Sequence, residues 1–184
     1  PVIDPNDEGI WSRISTLDAG ENRGSFFRPE IGDEVLVAFI NGDPRDAVVI
    51  GMLNSSAKPA PLPTSDDNHE KGFVSRSEMK FIFNDDKKSI TAETPSGNKL
   101  VISEEDKGIT LEDENGNKIV MNQDGITIES AKDLILKSTA NTELESGTNF
   151  TLKGGTQLKL EGQAGTEVSS SGIVEIKGSL IKIN

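Results

Sequence analysis

Few residues of this chain are of kinds that do chemistry, and their spacing limits what they can do. His69 is the one histidine, and there is no cysteine. A Ser-His-Asp triad, or a zinc site with imidazole or thiolate ligands, would therefore have to be built on His69. That residue sits in NSSAKPAPLPTSDDNHEK, residues 54–71, and reads as a solvent-exposed linker side chain. The run SEEDKGITLEDENGN, Ser103–Asn117, is rich in oxygen ligands but lacks the EF-hand spacing and its closing Glu, so it reads as a solvated face with turns. Glu112 and Glu114 form a carboxylate pair of the kind a glycoside hydrolase uses. A sugar-cutting cleft also needs stacking aromatics, and from residue 84 onward the chain holds only Phe150. No phosphate-binding or dinucleotide glycine pattern occurs. Trp11 reads as barrel core, and Arg13, Arg23 and Arg28 as solvated basic residues. The expectation is a protein that is not an enzyme, with no catalytic, cofactor or metal site.

Composition narrows the partners. The net charge of −12 argues against nucleic acid, because phosphate binding needs clustered Lys and Arg. The longest apolar run, Val35–Ile40, is far too short to span a bilayer. No signal peptide is visible, and Pro1 stands where a Met would open a complete chain, so a fragment of a longer protein is expected. Hydrophobic residues make up 33% and aromatics 4%, too little for a conventional core. The aliphatic residues are nevertheless regularly spaced, which disordered chains do not show.

The elements that must position these residues fall into three stretches. Residues 1–54 hold short strands, clearest in EVLVAFI (Glu34–Ile40) and AVVIGML (Ala47–Leu53). They are joined by NGDPRD, where Gly42 tolerates positive φ and Pro44 fixes its own. This predicts a hairpin in a small all-β barrel or sheet. Residues 55–71 are a linker whose Pro59, Pro61 and Pro63 bar a central strand and favour an extended path.

Residues 72–184 show no helical period. Read in eights, one column is Ile128, Leu136, Leu144, Leu152, Leu160, Val168 and Ile176, aliphatic throughout. The column two places earlier is Ile126, Leu134, Thr142, Phe150, Leu158, Thr166 and Val174. Between them lie mostly polar residues such as Thr127, Glu143, Thr151 and Lys159. Each octad is thus a short strand with two residues facing in and one facing out, closed by Gly or small polar residues. The pattern is looser upstream, in KLVI at 99, GITLED at 108 and KIVM at 118.

A fixed internal repeat signals stacking units that bury nothing alone. One chain could supply all three walls of a triangular coil, or three chains could each supply one. A single-chain coil should differ from wall to wall every third octad. The aliphatic column is uniform, which favours three chains, whose mutual pairing also removes exposed strand edges.

The segment Arg28–Asn54, RPEIGDEVLVAFINGDPRDAVVIGMLN, resembles the OB-fold domain of the central spikes of contractile injection machines. These are the VgrG proteins of type VI secretion and the spike proteins of phage baseplates and extracellular contractile systems. Pro29, Ile31–Val37, Phe39, Gly42–Arg45 and Ile50–Gly51 carry the match. The order of barrel, Pro-rich linker, octads and the ending GIVEIKGSLIKIN resemble the family too.

The resemblance implies an all-β protein: a partial OB-fold barrel over 1–54, a linker over 55–71, and an intertwined homotrimeric triple-stranded β-helix, or β-prism, over 72–184. In that family the first barrel strand should precede Trp11, so residues 1–9 would be the loop after it. The trimer core would be Ile126, Ile128, Leu134, Leu136, Leu144, Phe150, Leu152, Leu158, Leu160, Val168, Val174 and Ile176. A PAAR-type tip protein would bind Leu180, Ile181, Lys182, Ile183 and Asn184, where the apolar pair Ile181 and Ile183 steps out of the octad column by one place. Hub and tube proteins would attach through N-terminal domains absent here, and effectors could ride on the spike.

The implied role is structural: assembly in the bacterial cytoplasm, export with an injection particle, and transient passage through a target membrane. The alternatives are a trimeric tailspike that binds or cleaves polysaccharide, and a single-chain β-helix adhesin.

Overall fold

A computed structural model describes residues 9–183. The reading of residues 1–9 as a loop therefore lies almost wholly outside the described residues, as does the tip assignment of Asn184. The chain divides into two units, Pro1–Leu134 and Ile135–Asn184. Every regular element among the described residues is β apart from one 3-10 turn at Ile40–Gly42.

In the first unit, β1 (Arg13–Ile14), β4 (Glu34–Phe39) and β5 (Ala47–Leu53) form one sheet in the order β1-β5-β4. β2 (Ala19–Gly20) and β3 (Arg23–Gly24) form a two-stranded ribbon. The expected hairpin is present: β4 pairs antiparallel with β5, with a register shift between Leu36 and Val37. The turn between them uses Asn41 and Gly42 at φ 53° and 72°, a region that Asn and Gly enter most cheaply. Asp43 then closes it. Its carboxylate accepts Arg45 N–H at 3.0 Å and the Arg45 guanidinium Nη2 at 2.7 Å, which explains the Gly-Asp-Pro-Arg spacing. The Arg45 side chain is also the main reason the Asp43 carboxyl titrates below its usual range.

Burial in this sheet is slight. Ala47 and Val49 are the buried apolar residues. Trp11, expected in a barrel core, is 99% exposed. The strands described form one thin layer, and nothing described packs over the indole.

The linker carries no strand between Leu53 and Glu70 and is pinned by Lys58, whose ammonium donates to the Gly32 carbonyl at 2.6 Å. Its end falls slightly earlier than expected, because the next strand opens at Glu70.

Beyond it the structure departs from the sequence expectation. The octad reading extends a β-helix over all of 72–184, but residues 70–129 form a seven-stranded antiparallel meander. Its strands are β6 (Glu70–Val74), β7 (Lys80–Asn84), β8 (Ser89–Glu93), β9 (Lys99–Ser103), β10 (Gly108–Glu112), β11 (Lys118–Asn122) and β12 (Gly125–Glu129). The cause lies in the connections. Thr94–Asn98 and Asp113–Asn117 are five-residue turns with Gly97 and Gly116 at φ 94° and 86°, and each folds the chain straight back on itself.

The meander is built on a second repeat. Lys80, Lys99 and Lys118 stand nineteen residues apart, and each opens a strand of the form Lys-apolar-Val/Ile-apolar-Asn/Ser. The strand that follows ends in Glu: Glu93, Glu112 and Glu129. Because neighbours run antiparallel, charges of alternating sign occupy facing positions across the sheet, with Lys118 and Glu112 at 4.0 Å. The pairs are Lys80 with Glu93, Glu93 with Lys99, Lys99 with Glu112, Glu112 with Lys118, and Lys118 with Glu129. Opposite charges on facing positions favour this register, and any one-residue slip loses them all.

Candidate functional site

Alternation along each strand sends its second and fourth residues to one face. On the meander this face carries two apolar rows. One runs Ile126, Met121, Ile109, Ile102, Ile90 and Phe83, the other Ile128, Ile119, Leu111, Leu100, Ala92, Phe81 and Phe73. The opposite face carries Thr127, Thr110 and Thr91 interleaved with Val120 and Val101, together with the charge ladder.

Apart from Phe73, whose ring stacks on Phe27 with centroids 5.1 Å apart, the apolar face is not covered by its own chain among the described residues. Phe73, Phe81, Phe83, Leu100, Ile102, Leu111, Met121, Ile126 and Ile128 are all substantially exposed. Leu111, Ile119, Ile128 and Leu134 line an open groove of about 500 Å³, rimmed by Asn98, Lys99, Asp113 and Asn117.

Hydrogen bonds within the Asp113–Asn117 turn hold the groove's rim. The Asp113 carboxylate accepts backbone N–H groups of Asn115 and Asn117 at 2.9 and 2.8 Å and the Asn117 side-chain amide at 2.7 Å. These bonds, Asn117 first, lower its pKa to about 2. Asn117 in turn accepts Ala131 N–H at 3.0 Å, so one turn is tied to the next. This carboxylate of the acidic run Ser103–Asn117 is thus engaged by its own loop.

The second unit follows the octad closely. The backbone bends at residues 139–140, 147–148, 155–156, 163–164, 171–172 and 179, eight apart throughout. The residue opening each corner is Ser138, Ser146, Gly154, Gly162, Ser170 or Gly178. Ser138 and Ser146 donate their hydroxyls to the carbonyls of Asn141 and Asn149, at 3.1 and 2.7 Å, and so brace the corner. A side chain at Gly154 or Gly162 would collide with the carbonyl of Gln157 or Gly165, so those two corners admit only glycine.

Among the described residues, 135–183 make no strand pairing and no backbone–backbone hydrogen bond within the chain. Every aliphatic residue of the two octad columns in this unit is exposed, as is Phe150: Leu136, Leu144, Leu152, Leu158, Leu160, Val168, Val174 and Ile176. Leu180, Ile181 and Ile183 at the end are exposed as well. A single chain therefore brings none of these residues together.

The whole chain exposes 17,269 Å². A compact monomer of this mass would expose about 8,600 Å². Apolar columns without cover are costly in water, backbone groups without partners are costly once water is excluded, and both are relieved together by further chains.

The sequence reading missed the meander face, including Phe81, Leu100, Ile102, Leu111 and Ile119. The signal that could have found it is the nineteen-residue recurrence of Lys80, Lys99 and Lys118.

Comparison with known proteins matches two stretches of the chain. Residues 1–53 match the type VI secretion system/phage-baseplate injector OB domain, and residues 89–184 match the phage baseplate V C-terminal trimerisation domain. The spike protein VgrG1a of Pseudomonas aeruginosa is 36% identical over 67 residues, which are 36% of this chain and 10% of that relative. VgrG3 of Vibrio cholerae is 35% identical over 68 residues, 37% of this chain and 6% of its own length. The chain thus matches a tenth or less of the length of these relatives. With its larger part matched by the trimerisation domain and its front by the injector OB domain, the chain belongs to the VgrG and phage-baseplate spike family.

Proposed function

We propose that this chain is the shaft and tip region of a homotrimeric spike that leads an injection tube through a target envelope by mechanical means, without a catalytic step. The observation that supports this most is the pair of apolar octad columns, exposed throughout residues 135–183 in one chain and lying within the match to a trimerisation domain. Three chains, each contributing one wall, would enclose Leu136 to Ile176 and pair every strand edge. Each large aliphatic side chain so buried contributes about 1.5–3 kcal/mol. Chains wound together do not peel away singly, which suits a part that must resist force.

The relatives' names place them as spike proteins of type VI secretion systems, and by analogy this chain would be exported with such a particle. On this reading Leu180, Ile181 and Ile183 lie beyond the last regular octad and step out of its columns. These apolar side chains are exposed in one chain, and a PAAR-type tip protein is the partner proposed to cover them. Hub, tube and effector proteins would join through other parts of the particle.

The test is binding of a PAAR-type protein to the full chain, measured by calorimetry. The wild type should bind as one tip per three chains, and Ile181→Ser with Ile183→Ser should weaken binding at least tenfold. Equal binding by the double variant would refute the tip assignment. Turnover of polysaccharide by the wild type would refute the non-catalytic reading.

A further inference from the structure

The octad array cannot set its own alignment. Leu136, Leu144, Leu152 and Leu160 stand at equivalent places in successive octads, and the corners are Ser or Gly throughout. If three chains wind together, a slip of eight residues puts leucine on leucine and small corner on small corner. Only the terminal octads lose partners. Something outside the array must select the aligned state from the slipped ones.

The meander has what the array lacks. It completes its backbone pairing within one chain, from β6 to β12, so that pairing needs no partner. Its apolar face stays uncovered, and its steps are unequal: Phe81 and Phe83, then Ala92 and Ile90, then Leu100 and Ile102. The trimerisation-domain match begins at Ser89 and so already includes β8–β12 of this face. The two apolar rows continue unbroken past that point into β7 and, at Phe73, into β6.

The periods also differ. A slip that suits the octads, by eight or sixteen residues, misplaces a nineteen-residue hairpin repeat, and a slip by one hairpin misplaces the octads. Two unequal periods on one chain share no short slip, as on a vernier scale.

We infer that the apolar face of the meander, from Phe73 to Ile128, is where second and third copies of this chain dock first, and that this docking sets the register in which the octads wind. The inference rests on the trimeric reading above and gives the meander a task distinct from the shaft's.

The test uses full-length chains. The natural sequence has no cysteine, so Thr151→Cys gives a single thiol for a nitroxide label. Chains are refolded from denaturant, their mass is taken by light scattering, and label-to-label distances are read by pulsed electron spin resonance. The labelled parent should be a trimer with one narrow distance. Leu100→Ser with Ile119→Ser, on the meander face, should either broaden the distances into several populations or stop association. Leu136→Ser with Val168→Ser, an equally severe change in the array, should leave a trimer with one narrow distance and a lower melting temperature.

A single narrow distance in the meander variant, or loss of association in the array variant alone or in both, would overturn the inference. A monomeric parent would instead overturn the trimeric reading on which it rests.

Discussion

Residues 70–129 and residues 135–183 carry the same motif, two apolar residues flanking one polar or β-branched residue, and use it in opposite ways. In the meander, Lys-Leu-Val-Ile-Ser at β9 finds both its hydrogen-bonding neighbours in its own chain, β8 and β10. In the array, Phe-Thr-Leu at 150–152 finds none. The connections make the difference. A five-residue turn with glycine in the left-handed region reverses the chain, whereas a Ser- or Gly-opened corner only bends it and leaves the next strand heading onward. Pairing within the chain yields a sheet that one copy can form. Its absence leaves backbone groups and apolar columns that one copy does not pair or cover.

The strongest way to break this comparison is to charge the array. Leu152→Asp would place three carboxylates at one level of the shaft, and should cost more than the ~2–5 kcal/mol of a leucine truncation and prevent a stable trimer. Thr151→Asp, one residue away and facing out, should leave mass and melting temperature close to the parent. Equal behaviour of the two variants in light scattering and thermal melting would show the octad register to be wrong.

A smaller effect separates two glycines. Gly162→Ala meets the Gly165 carbonyl, whereas a Cβ at Gly155 has open space around it. The first should lower stability by about 1–3 kcal/mol per chain, and the second should change it little. Chemical denaturation of both variants sharpens the claim that the corners are sterically specified.

In the meander, Lys99→Glu would set three carboxylates in a row, the new one directly between Glu93 and Glu112. It should cost about 0.5–2 kcal/mol, more at low salt than at high, since each facing pair is worth ~0.2–1 kcal/mol. Denaturation at two ionic strengths measures it. The same change at Lys159, in the array, has no such ladder to break and should have the weaker salt dependence.

The smallest effect is acid titration of one loop. The Asp113 carboxylate has a folded pKa lowered to about 2, held there by hydrogen bonds from Asn117 and Asn115. A depressed pKa means that its contribution is fully present above the unfolded value, about 3.9, and is lost as pH falls through about 2. Melting curves between pH 4 and pH 2 should therefore fall less steeply for Asp113→Asn than for the parent. Parallel curves would remove Asp113 as a contributor.

Much of this is legible in the residues because it is local. The octad columns, the corner glycines and the Gly-Asp-Pro-Arg turn are all matters of short-range spacing. The meander is not legible in the same way, for a physical reason. Its strands open at Lys99, Gly108, Lys118 and Gly125, intervals close enough to eight to pass for loose octads. Whether the chain reverses or proceeds at each interval depends on turn residues in the left-handed region, Glu78, Lys88, Gly97, Lys107 and Gly116, and not on the apolar pattern. Trp11 reads as core on its size alone, whereas burial requires an opposing layer that one thin sheet does not supply. The candidate site itself, on the trimeric reading a surface completed by other copies, shows in one chain only as apolar residues left exposed.

The central claim is that three copies complete one another, and the most direct measurement is the mass of the chain in solution, by light scattering after gel filtration. The account predicts three times 19.7 kDa, about 59 kDa, unchanged on dilution. A mass of 19.7 kDa that persists at high concentration would contradict it.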